Sequence, residues 1–186
     1  MLKTLPRDRV IIGIDCSTKS LAWAKFIDEK PVGCGEVFFE GKDVYSRMTD
    51  ASKKTDALIR SGVLKADKIY FESAVSVGNN RQTLIHLAYN YGAVMSLLMR
   101  AGIKVETLSP LKWQPYIGNA TITRAEKLKI KQENPGKSKS WIDEAARQMR
   151  KQRTMVFARE YFDIDSGSDN VSDAVGIAVC GMQLLD

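Results

Sequence analysis

The stretch Val10-Ile11-Ile12-Gly13-Ile14-Asp15 sets the tightest limit on what this chain can fold into. It is apolar and mostly β-branched, so it reads as a buried strand. Burying an ionised carboxylate is costly unless the group is paired or bound to a cation. Asp15, at the end of that strand, is therefore either a turn residue at the exit or one ligand of a site that needs negative charge.

The rest of the chain supplies the partners of this strand. "SLAWAKFID" (Ser20–Asp28) and "VGCGEVFFE" (Val32–Glu40) read as two further strands, separated by the turn "DEKP". Three strands with short connections make an antiparallel meander. Asp43–Arg60 reads as a polar helix stopped by Ser61-Gly62. "ADKIYFES" (Ala66–Ser73) is a fourth strand, and it too ends on a carboxylate, Glu72.

A long helix is expected over Asn79–Gly102, with Asn at its start and Gly at its end. "IKVETLSP" (Ile103–Pro110) supplies a fifth strand and "LKWQPYIGN" a short connecting segment. One helix is expected from Thr123 and another over Ser140–Tyr161, with the basic loop "NPGKSKS" between them. A last helix, Asn170–Leu185, is apolar on most faces and must pack on the sheet. The expected fold is a single α/β domain over residues 1–186. It is a mixed five-stranded sheet, three antiparallel strands then two parallel, flanked by helices.

With 186 residues the chain can bury a core without disulfides or metal staples. Its three cysteines are widely spaced with no CxxC, which suits reduced thiols in a cytoplasm and argues against a zinc site. The N-terminus lacks a signal peptide's apolar core, and no stretch approaches the ~20 apolar residues that span a bilayer. A cytoplasmic location and no membrane partner are expected. Charge is uneven. Thr123–Arg159 holds eleven Lys and Arg against four acids, so this segment alone is more positive than the whole chain at +6. It is either a solvated helical face or a footprint for a phosphate backbone.

"SDNVSDAVGIAVCG" (Ser168–Gly181) adds Asp169 and Asp173, whose i, i+4 spacing puts both on one helix face. They either cap a helix N-terminus or join Asp15 and Glu72. The second reading gains from the sheet, because sites in open α/β folds form at the C-terminal edges of strands. Carboxylates without His or Cys select a hard cation, Mg²⁺ or Mn²⁺. A pair of such ions about 4 Å apart suits phosphodiester cleavage.

"GIDCST", "YFES" and "DNVSDAVGIAV", in that order, resemble the RuvC-type Holliday-junction resolvases of the RNase H-like nuclease superfamily. The resemblance implies an RNase H-like fold in which Asp15, Glu72 and Asp173 hold the metal. Members often carry the fourth ligand three residues before the final Asp, where Asn170 stands; Asp169, one residue earlier, is taken as that ligand. "RAEKLKI" (Arg124–Ile130) resembles the family's basic helix near the scissile phosphate and points to Lys127, with Lys112 a looser match. "GNNRQTLIHLAYNYGAV" resembles the passage into the helix that pairs two subunits, implying a homodimer through the helix from Asn80 to Arg100.

Two features depart from the family pattern: Cys16-Ser17 replaces a Pro-Gly, and residues 73–78 are small and aliphatic where bacterial members place an aromatic. The second leaves room for branched DNA looser than a four-way junction.

The resemblance therefore implies a Mg²⁺-dependent endonuclease (Mn²⁺ substituting) that nicks four-way junctions or related branched DNA symmetrically. It would leave 5′-phosphate and 3′-hydroxyl ends. Because the acids are shared across the superfamily, an RNase H-like nuclease acting on RNA–DNA hybrid is the alternative. A DNA-binding module without nuclease activity would have lost acids that this chain keeps. "GIDCSTKS" also resembles the first phosphate loop of the actin and sugar-kinase superfamily, but the second Gly-rich loop of that superfamily is missing.

Among other residues, His86 reads as a packed or interface histidine. Trp113 and Tyr116, beside Lys112, serve either DNA stacking or the core. Leu84, Ala88, Tyr91, Met95 and Leu98 form a stripe for packing on the sheet, leaving Leu87 and Val94 for a partner subunit.

Overall fold

Alternation along the first strand decides the layering. In β1 (Val10–Cys16), Ile12, Ile14 and Cys16 join the core on one face of the sheet, while Ile11 and Gly13 face the other. Asp15 follows Gly13 by two residues and so shares its face. The computed structural model describes residues 9–73 and 81–184. The aliphatic loop after Ser73, the expected Asn cap at 79–80 and Leu185 lie outside the described residues.

β1 pairs antiparallel with β2 (Ser20–Ile27), which pairs antiparallel with β3 (Lys30–Phe38). On its other edge β1 pairs parallel with β4 (Lys68–Glu72), and β4 pairs parallel with β5 (Lys104–Leu108). The order is β3-β2-β1-β4-β5, the mixed sheet expected. The hairpin before β3 is tighter than the sequence suggests. Asp28 and Glu29 both take positive φ, at 45° and 68°, and close it in two residues. Lys30 and Pro31 are already strand, and Pro31 is tolerated because β3 is an edge.

Two helices cover the first face. α1 (Val44–Arg60) starts at a capping box in which Asp43 and Ser46 each accept from the other's backbone N–H. α2 (Arg81–Arg100) buries Tyr91, Val94 and Leu98 against Ile14, Ile69 and Phe71. The stripe is rotated from expectation: Val94 is in the core and Ala88 is exposed. The i, i+3, i+7 set at 91, 94 and 98 fits the sheet better than a line through 88.

The second face carries α6 (Asp169–Met182), flanked by α3 (Pro110–Tyr116) and α5 (Lys139–Phe162). α6 lies unusually close to β1, because a Cβ on Gly13 would fall 2.1 Å from the Ala174 carbonyl oxygen. The expected connecting segment at 111–119 contains α3, whose signals are Ser109 as N-cap and Pro110 at its first position. α4 (Arg124–Glu133) packs on the first half of α5 through Ile122, Ile130, Ile142 and Ala146. The Glu126–Arg153 ion pair ties this small hairpin to the body of α5. Among the described residues no helix is long and apolar enough to cross a membrane, and all three cysteines are free.

Candidate active site

The parallel register that pairs Ile14 with Phe71 brings the next residues, Asp15 and Glu72, side by side at the ends of β1 and β4. Their side chains stand on the α6 face. The close approach at Gly13 sets the first turn of α6, with Asp169 and Asp173, against them. All four carboxylates line one cleft of about 300 Å³.

Neighbours fix each acid. Trp113 Nε1 donates to Glu72 Oε2 at 3.1 Å, and the Tyr91 hydroxyl donates to the Glu72 carbonyl. Trp113 is fully buried, so of its two expected roles it takes the core one, and it also orients an acid. It reaches Glu72 past Gly176, where a Cβ would lie 2.7 Å from its ring. Asn170 lines the cleft but commits its amide to Glu36 Oε1 at 2.7 Å, while Ser168 Oγ donates to Glu36 Oε2 at 2.7 Å. These bonds pin the start of α6 to β3. Asp169 keeps its carboxylate toward the cleft, where it pairs with Lys151.

Crowded, buried carboxylates resist ionisation. Burial, then the charges of Asp169 and Glu36, push Asp15 up to about 7, against a lowering by Lys151. Burial, then Asp15 and Asp173, push Glu72 up to about 8, opposed by the Trp113 hydrogen bond and by Arg150. Burial, then Asp15, push Asp173 up to about 8, opposed first by a hydrogen bond from Thr154. Asp15, Glu72 and Asp173 are each raised by at least one neighbouring carboxylate, a repulsion that a bound cation would relieve.

The donors fit a hard divalent ion, since the cleft presents carboxylates with no imidazole or thiol. In the side-chain positions of this structure no three such acids among the described residues converge on one point, and Lys151 supplies the charge at Asp169.

Lys151, Arg147 and Arg150 of α5 also line the cleft, with Gln114, Asn119 and Thr154. Asn119 Nδ2 donates to the Arg150 carbonyl and to Thr154 Oγ1, at 2.9 and 2.8 Å. Sequence reasoning passed over these cations, although the spacing of 147, 150, 151 and 154 marks one helical face. Glu36 was missed too, and only its register opposite Ala22, itself opposite Asp15, reveals it. Lys127 does not line the acidic cleft. It pairs with Asp143 at 2.8 Å and lines a separate groove between α4 and α5. Lys112 and Tyr116 are exposed outside the cleft, and His86 sits half-buried on α2 against Gln82.

A mixed sheet of order 3-2-1-4-5 flanked by helices is the fold of the RNase H-like class, and this chain has that fold. Within the class it matches the RuvC-type fold. Thermus thermophilus RuvC in complex with a Holliday junction substrate superposes with a TM-score of 0.63 at 12% identity, over 92% of this chain and 91% of that one. A second Thermus thermophilus RuvC structure gives 0.60 at 13% identity, with 92% of each chain covered. No family model matches the sequence, and no curated protein does.

Proposed function

We propose that the chain is a divalent-metal-dependent endonuclease acting on branched DNA, with the four-way junction as its main substrate. The observation that carries this reading is the meeting, in one cleft, of four carboxylates with three cations. Asp15, Glu72, Asp169 and Asp173 would hold Mg²⁺, or Mn²⁺ in its place. Such ions, when bound, act as Lewis acids and lower the pKa of water. Lys151, Arg150 and Arg147 face the same space and suit the non-bridging oxygens of a phosphodiester, holding it in place for attack. The Thermus thermophilus RuvC complex, with its Holliday junction substrate, supports this choice of DNA.

A homodimer completes the proposal. The outer face of α2 exposes Ile85, Ala88, Tyr89, Gly92, Ser96 and Met99, a largely apolar line that suits pairing with a second copy. Two-fold symmetry would then present two clefts to a symmetric junction.

The test is nicking of a labelled immobile four-way junction, a linear duplex and an RNA–DNA hybrid, each in Mg²⁺ and in EDTA. Paired, symmetric, Mg²⁺-dependent nicks in the junction are expected. Cutting of the hybrid alone would transfer the chain to the ribonuclease branch.

Lys151→Gln separates the cation's two relationships. Loss of a charge facing the phosphate should slow nicking roughly 10- to 100-fold. Loss of the ammonium from Asp169 should lower the Mg²⁺ concentration that gives half-maximal rate. An unchanged rate at saturating Mg²⁺ would remove Lys151 from the site.

A further inference from the structure

The acidic cleft leaves the most basic part of the molecule unexplained. Between α4 and the first turns of α5 runs a separate groove of about 540 Å³, lined by Arg124, Lys127, Lys131, Lys137, Lys139 and Asp143 over Leu128 and Ile142. Lys127 pairs with Asp143 at 2.8 Å. Arg124, Lys131, Lys137 and Lys139 have no ion pair among the described residues. Unpaired like charges repel one another, so holding four of them around one groove favours an anionic occupant.

The apolar part narrows the choice of anion. Leu128, in the groove lining, is 54% exposed. Trp141 does not line the groove but is 39% exposed and is linked to it by Lys137, a lining residue whose ammonium lies 5.4 Å from the indole ring centroid. A duplex offers phosphates outward and keeps its bases stacked inside, so it has no use for an exposed leucine and indole. An unpaired strand offers both phosphates and bare base faces, which match cations flanking an aromatic platform. The hairpin carrying the groove has its own small core and rests on α5, whose next turns supply Arg147, Arg150 and Lys151 to the acidic cleft.

We propose that the groove between α4 and α5 binds an unpaired DNA strand, so that among four-way junctions one with a single-stranded arm or flap beside its branch point is preferred over a fully paired one. This rests on the reading of the chain as a DNA endonuclease.

The experiment measures binding of fluorescein-labelled (dT)15 and of a 15-base-pair duplex, in EDTA over a range of salt, by the full chain and two variants. Lys131→Gln/Lys139→Gln changes only exposed side chains, so it leaves folding intact. The expected results are that it weakens (dT)15 binding and makes the slope of log K against log salt shallower by about 1.4. Trp141→Ala should weaken (dT)15 about ten-fold while leaving the duplex unchanged. Either variant should also abolish any preference for nicking a junction with a single-stranded arm over a fully paired one.

If neither variant alters (dT)15 binding, the proposal is wrong. If both variants weaken duplex and (dT)15 equally, the groove clamps a paired arm and the single-strand assignment falls. The nuclease reading is judged separately: a protein that binds (dT)15 through the groove but cuts no junction in Mg²⁺ overturns that reading and leaves the groove's ligand standing. A protein that cuts junctions with a silent groove does the reverse.

Discussion

Asp15→Asn should stop Mg²⁺-dependent nicking while making the EDTA-treated protein more stable at neutral and alkaline pH. Both effects have one origin. Asp15 lies between Glu72 and the two acids of α6, and its charge raises both Glu72 and Asp173. For catalysis, removing one acid at the centre of the set withdraws several kcal/mol of charge stabilisation, a rate loss of roughly 1,000-fold. For stability, the same acid is a liability unless a cation is bound. Asp15, Glu72 and Asp173 hold protons in the folded state up to about 7, 8 and 8. The unfolded chain loses them near pH 4.

Between those limits the unfolded state binds fewer protons than the folded one. Stability in EDTA should therefore fall as pH rises from about 4 to 8. Mg²⁺ should offset that loss, raising Tm more at pH 8 than at pH 5. Asp15→Asn should gain about 1–3 kcal/mol in EDTA at pH 8 and lose most of the response to Mg²⁺. Thermal melts of both proteins at the two pH values, with and without Mg²⁺, check every part. A variant less stable than wild type in EDTA at pH 8 would mean that the acids do not repel one another in the folded protein.

The four acids were legible in the sequence because each sits at a marked position. Asp15 and Glu72 end apolar strands, and Asp169 and Asp173 open an apolar helix at i, i+4 spacing. The strand count and the change from antiparallel to parallel were legible for the same reason, since turn residues punctuate one half and long helices the other. What stayed hidden depends on contacts between distant segments. Glu36 lies two strands from Asp15, and nothing in "VGCGEVFFE" distinguishes it from a solvent-facing acid. Its role comes from the Asn170 and Ser168 hydrogen bonds that the fold creates.

Trp113 could be read as a core residue or a stacking platform. Only the space above Gly176 decides for the core and aims its indole N–H at Glu72. The basic segment was seen as one feature. Its division into a cation wall beside the acids and a separate groove follows from how α5 crosses α6, which composition does not encode. Similarity of a short basic motif drew attention to Lys127, whereas the fold delivers Lys151 to the acids.

Gly13→Ala should be the most damaging glycine-to-alanine change among the described residues. The new Cβ would stand 2.1 Å from the Ala174 carbonyl oxygen, 2.5 Å from the Ala178 nitrogen and 3.0 Å from the Ala178 Cα. These are backbone atoms of a helix buried along most of its length, so no side-chain rotation relieves the clash. Either α6 lifts off β1 or β1 bends away from β2 and β4. Overpacking of this kind costs roughly 3 kcal/mol or more, equivalent to a fall in Tm of about 6–12 °C for a chain of this size.

The variant should also lose activity in the molecules that remain folded. Asp173 is the residue next to Ala174, so any lift of α6 carries it away from Asp15 and Glu72. A misplacement of about 1 Å at a reacting centre costs on the order of 100-fold in rate. Urea unfolding in EDTA gives the first effect, and nicking per folded molecule at a temperature well below Tm gives the second. A variant with the wild-type urea midpoint would show that α6 does not lie on β1 as described. A destabilised variant with full activity per folded molecule would show that Asp173 contributes nothing at the site. The glycine two residues before the first acid thus sets how near the last acid can come, and the same close contact should govern both the stability of the fold and the working of the cleft.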